Sequence, residues 1–209
     1  MNSSSKIIII ENPERIDALV NKSRSLPADY IPEDLIDVDV LHKVEKPESK
    51  MLRKEASDAL TELFAYAKTN GFEFWAVSGY RSYERQVYLF NNYAKNHGEE
   101  EANRFSARPG QSEHQTGLTM DVSIVSLNYE LVEELGETPE GKWLADNAHK
   151  YGFIIRYPKG TEHITGYQYE PWHIRYLGKD LAAKVFESKL TFDEYYEKKK
   201  ELLQSNSFF

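Results

Sequence analysis

Apolar and polar side chains alternate strictly between residues 118 and 124. The apolar set is Leu118, Met120, Val122 and Ile124, and the polar set is Thr119, Asp121 and Ser123. A period of two predicts a β-strand with its apolar face on the core. Asp is disfavoured inside a strand, and a carboxylate that is removed from water needs a partner. The pattern therefore predicts that Asp121 faces a partner across a sheet.

Strands and helices are predicted in mixed order along the rest of the chain. Strands are expected at residues 7–10, 72–80, 118–124, 153–157 and 171–176. Helices are expected from Asn12 to about Leu26, from about Ser49 to Asn70, from Ser82 to about His97 and from Thr138 to Gly152. Two more helices are expected at the end of the chain, and the second of them starts at a Thr191–Glu194 capping box. This order predicts an α+β fold with a small antiparallel sheet.

The first fifty residues differ from the rest because three prolines lie between residues 27 and 50. They predict an extended segment that wraps around the fold. We therefore expect residues 1–50 to form a strand, a helix and this wrapping segment, packed on a functional domain at residues 51–209. No linker composition separates the two parts, which predicts a single globular unit.

Composition excludes several classes of function. The net charge is −8, and no basic stripe is present that would suit the phosphates of a nucleic acid. No apolar run reaches transmembrane length, and the isoleucines at 7–10 are too few for the core of an export signal. Without any cysteine, the chain has neither a disulfide framework nor a thiolate metal site. We expect a monomer.

Six histidines occur, and four have ordinary structural or solvated interpretations: His42, His97, His149 and His163. His173 differs because it lies in the segment EPWHIRY, where Pro171 favours an extended backbone. In that strand the apolar face would consist of Trp172, Ile174 and Tyr176. The opposite face would present His173 and Arg175.

Two predicted strands thus each present one metal-competent side chain on the face away from the core, namely Asp121 and His173. His114 enters from the loop just before the first strand, and Gly117 allows that loop to turn tightly over Asp121. Two imidazoles and one carboxylate form a three-ligand zinc site with an open fourth position for water. The open position predicts a hydrolytic site.

Three further polar residues and an arginine are candidates for the same site. Glu170 precedes His173 by three residues and is a candidate proton shuttle or, alternatively, an orienting or solvated acid. Arg81 follows a predicted strand and is placed either to polarise a carbonyl, to hold a substrate carboxylate, or to form a surface ion pair. Ser112 and Gln86 are polar groups that would face the same pocket.

Together these residues match a known family. The pattern S-x-H-x-x-G-x-x-x-D, followed about fifty residues later by E-x-x-H, resembles the VanY and LdcB-type zinc carboxypeptidases. The segments SGYRS with Gln86, EPWHIRYLG and VNKSRSLPADYIPEDL also resemble that group. The resemblance covers nearly the whole chain, and the order and flanks of the two half-motifs make it specific.

The resemblance implies zinc on His114, Asp121 and His173, with Glu170 as general base and acid. It also implies the hedgehog and D-Ala-D-Ala metallopeptidase fold. In this fold, a small antiparallel sheet is flanked by helices. No ligand position departs from the family pattern.

The family further implies that Arg81 acts at the carbonyl or the developing oxyanion. It implies that Ser112 and Gln86 lie near the terminal carboxylate of the substrate. Peptidoglycan stem peptides would be the partner, and the site of action would be extracytoplasmic in the cell envelope. We expect that neither an export signal nor a wall anchor is present in this chain.

The resulting hypothesis is a zinc carboxypeptidase that releases the terminal D-Ala from stem peptides. L,D-cleavage of tetrapeptides is favoured over D,D-cleavage of pentapeptides because the N-terminal segment resembles the LdcB type. A non-catalytic wall-binding module on the same zinc scaffold is a rival that Glu170 argues against. An endopeptidase or amidase is a second rival, which would need a groove open at both ends.

Overall fold

A computed structural model describes residues 7–43 and 46–206. Its strands are β1 (Ile8–Ile9), β2 (Arg24–Ser25), β3 (Leu35–Asp37), β4 (Met51–Arg53), β5 (Trp75–Ser78), β6 (Thr119–Ser123), β7 (Phe153–Tyr157) and β8 (Glu170–Tyr176). Its α-helices are α1 (Lys54–Thr69), α2 (Tyr83–His97), α3 (Glu99–Phe105), α4 (Pro139–Asn147), α5 (Glu162–Thr165), α6 (Lys179–Ser188) and α7 (Phe192–Asn206). Mixed helices around small sheets confirm the predicted α+β class.

The central sheet has four strands in the order β5-β6-β8-β7, and every neighbouring pair is antiparallel. Two smaller pairs lie outside it: β1 with β2, which is parallel, and β3 with β4, which is antiparallel. Residues far apart in sequence become neighbours in the central sheet, since β6 and β8 are separated by more than forty residues. The candidate site lies on this sheet.

One face of the central sheet packs on helices α1 and α4 to form the main core. The predicted apolar set of β6 lies in this core, together with alternate residues of β8: Leu118, Met120, Val122, Ile124, Trp172, Ile174 and Tyr176. Helix α1 contributes small and branched side chains at helical spacing: Ala56, Leu60, Leu63 and Ala67. The period-two prediction for β6 is therefore confirmed.

The helix predicted from Asn12 to about Leu26 is wrong. These residues form turns and the short strand β2. The carbonyl oxygens of Ile16 and Ala18 accept hydrogen bonds from the buried guanidinium of Arg175, at 2.8 and 3.0 Å. Carbonyls that bind a side chain from another part of the fold are not available to a helix, so tertiary contacts override the local pattern.

The helix predicted from about Ser49 begins later, at Lys54. Residues 51–53 instead pair with residues 35–37 as strands β4 and β3, so part of the predicted wrapping segment is a strand. The strand predicted at 72–80 is shorter and spans Trp75–Ser78. The short helices α3 and α5 were not predicted, because they carry too few residues for a helical period to be recognised.

Three predicted helix starts are confirmed by their side-chain caps. The hydroxyl of Ser82 accepts from the backbone N–H of Arg85, and that of Thr138 accepts from Gly141. At α7, the backbone N–H of Thr191 donates to Glu194 at 2.9 Å, and the N–H of Glu194 donates back at 3.2 Å. This is the capping box.

Within residues 7–43 and 46–206, none of the helices combines the length and apolar character that crossing a bilayer would require.

Candidate active site

The register of the central sheet brings the first two predicted ligands together. Asp121 on β6 lies directly opposite His173 on β8, and on its other side it is paired with Ser78 of β5. Cross-strand partners in an antiparallel pair point to the same face of the sheet. The carboxylate of Asp121 and the imidazole of His173 therefore meet on the face opposite the core, with Oδ1 3.2 Å from Nδ1.

The third predicted ligand, His114, is delivered by a buried 3-10 helix at Glu113–Thr116. Gly117 ends this turn in the left-handed region at φ 66°, a backbone conformation that is strained for residues other than glycine. Gln115 fixes the turn to the N-terminal segment by donating to the carbonyls of Pro27 and Tyr30. As a result, Nε2 of His114 lies 3.3 Å from Oδ2 of Asp121.

Each imidazole has a hydrogen-bond acceptor on the side away from Asp121. Nδ1 of His114 faces the carbonyl oxygen of Gly79 at 2.8 Å, and Nε2 of His173 faces the carboxylate of Glu113 at 3.3 Å. Both partners are acceptors, so both nitrogens carry protons. The remaining nitrogens, Nε2 of His114 and Nδ1 of His173, face the carboxylate of Asp121 and are the ones that would offer lone pairs to a cation bound between them.

A divalent cation fits this arrangement. One ligand atom from each of His114, Asp121 and His173 lies within 4.8 Å of the others, and all three residues are buried. Oδ1 of Asp121 is buried and accepts no hydrogen bond. Two imidazole nitrogens and a carboxylate form a donor set that suits zinc in a catalytic site. Burial opposes ionisation of Asp121, but the two imidazoles hold the pKa of its carboxyl well below the usual range.

Glu170 lies beside these three residues. One of its carboxylate oxygens is 3.5 Å from Nδ1 of His173, and the residue is 7% exposed. Burial raises the pKa of the Glu170 carboxyl to about 7. A carboxyl with such a pKa exchanges protons readily near neutral pH, as a general base and acid must.

Arg81 is held in the same cavity by two side chains. Nη1 donates to Oε1 of Gln86 at 2.9 Å, and Nη2 donates to the hydroxyl of Ser78 at 3.1 Å. The backbone N–H of Arg81 also donates to the carbonyl of His114 at 3.2 Å, which joins the two loops of the site. The guanidinium is thus fixed before any substrate arrives.

The cavity has a volume of about 390 Å³. It is lined by every predicted site residue except Gln86, and by aromatic side chains that include Tyr93, Phe105, Tyr157 and Tyr167. Gln86 is only 1% exposed, and its amide nitrogen donates to the carbonyl of Ala107. Gln86 therefore contacts Arg81 from outside the cavity, whereas Ser112 lines the cavity itself.

The sequence pattern does not predict a role for Glu113, although this residue directly precedes the predicted ligand His114. Its carboxylate is fully buried and contacts Arg156 and Arg175 at 2.8 and 2.9 Å, as well as His173. One signal was available, since Arg175 shares the face of His173 and a buried cation needs an anion. Arg156 gave no local signal, because its partner lies more than forty residues away.

Known carboxypeptidases are similar to this chain in sequence. The sequence model of the family described as "VanY: D-alanyl-D-alanine carboxypeptidase" matches residues 49–179. YodJ of Bacillus subtilis (strain 168), whose name places it among carboxypeptidases, is 53% identical over 194 residues, which cover 92% of this chain and 71% of that protein.

Solved structures show the same fold. The LdcB LD-carboxypeptidase, whose structure concerns peptidoglycan recognition, has a TM-score of 0.88 at 53% identity, covering 91% of this chain and 90% of that chain. A mutant of the vancomycin-resistance D,D-pentapeptidase VanY in complex with Zn(II) has a TM-score of 0.68 at 30% identity, covering 86% and 98%. The predicted metallopeptidase fold is confirmed by these similarities. The chain therefore belongs to the VanY family of D-alanyl-D-alanine carboxypeptidases.

Proposed function

We propose that this protein is a zinc-dependent carboxypeptidase that removes the terminal D-Ala from peptidoglycan stem peptides. The observation that carries the proposal is the convergence of His114, Asp121 and His173 within 4.8 Å, beside the buried carboxyl of Glu170. The three ligands would hold zinc, which supplies Lewis acidity and activates water for hydrolysis. The remaining chemistry comes from side chains of the chain itself.

Glu170 would move the proton. Its carboxylate accepts a proton from the attacking water and then donates it to the amine of the leaving D-Ala. The raised pKa, about 7, suits both steps because neither protonation state is strongly favoured near neutral pH. The same carboxyl argues against a non-catalytic wall-binding module, which has no use for a buried proton donor beside its metal ligands.

Arg81 would stabilise the negative charge that develops on the carbonyl oxygen. Its guanidinium lines the cavity and is fixed by Gln86 and Ser78, so little reorganisation is needed as charge forms. Ser112 lines the same cavity and would contact the terminal carboxylate of the peptide. Gln86 would act through Arg81, since it does not line the cavity.

L,D-cleavage of tetrapeptide stems is the favoured specificity. The support comes from the LD-carboxypeptidase LdcB, which is much more similar in both sequence and fold than the D,D-pentapeptidase VanY. D,D-cleavage of pentapeptides is the alternative. Because stem peptides belong to the cell wall, the protein would act outside the cytoplasm, in the cell envelope.

The test is D-Ala release by the zinc-loaded protein, with tetrapeptide and pentapeptide stems offered separately and the products identified by mass spectrometry. We expect faster cleavage of the tetrapeptide. Faster cleavage of the pentapeptide would establish the D,D alternative, and cleavage of neither would refute the proposal.

Glu170→Gln should retain zinc and lose about 10²- to 10⁴-fold in turnover. The matched control, Glu162→Gln, changes an exposed carboxylate paired with Arg104 and should leave turnover unchanged.

A further inference from the structure

Glu113 occupies a buried position between one metal ligand and two arginines. Its oxygen Oε1 accepts from Nε of Arg156 at 2.8 Å and from Nη1 of Arg175 at 2.9 Å. The other oxygen, Oε2, faces Nε2 of His173 at 3.3 Å. The side chains of Glu113 and of both arginines are fully buried. One oxygen thus contacts the cations, and the other contacts the imidazole.

The charges of this cluster are balanced by a second acid at the start of helix α7. Asp193 accepts from Nη1 of Arg156 at 2.5 Å and from the amide of Asn21 at 2.8 Å. Two carboxylates and two guanidinium groups therefore share one buried network. Buried charges are tolerated when each is paired and hydrogen-bonded, so removing any one leaves its partners uncompensated.

The network also ties the N-terminal segment to the active site. Arg175 donates to the carbonyls of Ile16 and Ala18, which lie in the segment that was expected to be helical. Strand β8 carries both Arg175 and His173 on the same face, two residues apart. This segment and α7 are thus each joined to the carboxylate of Glu113 through one arginine.

We infer that Glu113 is a positioning residue that holds His173 with Nε2 protonated and Nδ1 directed at the metal, and that Arg156 and Arg175 fix Glu113 for this purpose. The inference rests on the proposed zinc site. A carboxylate on the distal nitrogen fixes the ring orientation of a metal-binding histidine and raises its basicity as a ligand. The terminal segments of the chain thereby support zinc binding without reaching the zinc ligands themselves.

The first test is made on the wild-type protein and needs no variant. Long-range ¹H–¹⁵N correlation spectra, recorded with and without zinc, report which imidazole nitrogen of His173 carries the proton. We expect a proton on Nε2 in both states and Nδ1 bound to metal in the zinc-loaded state. A deprotonated Nε2, or zinc on that nitrogen, would overturn the inference. If the protein takes up no zinc, the proposed function fails, whereas the tautomer still tests the contact with Glu113.

The second test measures zinc affinity by competition with a chromophoric chelator, with folding followed by circular dichroism. Glu113→Gln should bind zinc about 10- to 100-fold more weakly. Glu55→Gln is the matched control, because Glu55 accepts from the hydroxyl of Tyr176 on the opposite face of β8 and should change stability without changing zinc affinity. A folded Glu113→Gln protein with wild-type affinity would overturn the inference.

Asp193→Asn extends this test if Glu113→Gln fails to fold. Asp193 contacts no metal ligand, but it holds Arg156, so its loss should weaken zinc binding by a smaller factor than the loss of Glu113. Wild-type zinc affinity in folded Asp193→Asn would exclude a role for the arginine network. The role of Glu113 itself would then be decided by the first test, which shows which nitrogen of His173 carries the proton.

Discussion

The carbonyl oxygen of Gly79 accepts a hydrogen bond from Nδ1 of His114 at 2.8 Å, and this contact joins the end of β5 to the loop that carries the ligand. A Cβ atom at position 79 would lie 2.6 Å from the carbonyl oxygen of Met51 and 2.9 Å from that of Ser49. Both are backbone atoms, so the chain itself must shift to admit a methyl group.

Gly79→Ala should therefore weaken both folding and zinc binding. We expect the free energy of unfolding to fall by about 1–3 kcal/mol, as in other overpacked sites. The carbonyl of residue 79 would be displaced and would orient His114 less well, so zinc affinity should also fall. Urea unfolding and chelator competition measure the two effects. Unchanged values in both would show that the backbone at this position is not constrained.

His114→Ala should remove zinc and activity while the fold persists. The imidazole lies on the face of the sheet opposite the main core, so its loss leaves the packing of α1 on the sheet intact. Metal analysis, D-Ala release and circular dichroism measure the three properties. His97→Ala, an exposed position on α2, is the control and should retain all of them. A His114→Ala protein that does not fold would indicate a structural role for the metal.

Arg81→Lys should reduce turnover more than conservation of charge suggests. The guanidinium donates to Gln86 and Ser78 at once, and a single ammonium on a flexible stem does not reproduce this fork. We expect a loss on the order of 10²-fold in kcat, comparable to removing one oxyanion donor. Arg85→Lys, in the first turn of α2, is the matched control. A kcat and KM equal to those of the wild type would remove Arg81 from the mechanism.

Gln86→Met should act through Arg81. The substitution keeps a similar volume but leaves the guanidinium without one acceptor and the carbonyl of Ala107 without a donor. We expect about 1–3 kcal/mol less stability, the usual cost of unsatisfied buried polar groups, together with lower kcat. The effects on kcat of Gln86→Met and Arg81→Lys should be non-additive. Strictly additive effects would contradict a shared role and favour direct contact of Gln86 with the substrate.

Local patterns predicted those parts of the fold whose cause is local. The alternation at 118–124, the Ser82 cap and the Thr191–Glu194 capping box each depend on residues within one strand or one helical turn, and each is confirmed. The helix predicted from Asn12 failed for the opposite reason. Its carbonyls bind Arg175, which lies about 160 residues away in sequence.

By itself, the sequence determined which side chains lie on the face away from the core, because alternation along a strand places Asp121 and His173 there whatever the strand pairs with. Only the tertiary structure decided that these two residues are cross-strand neighbours, that His114 completes the set, and that Glu113 supports it from behind. Strand register and buried ion pairs depend on hydrogen bonds and charges between segments that are distant in sequence. No local periodicity encodes those contacts.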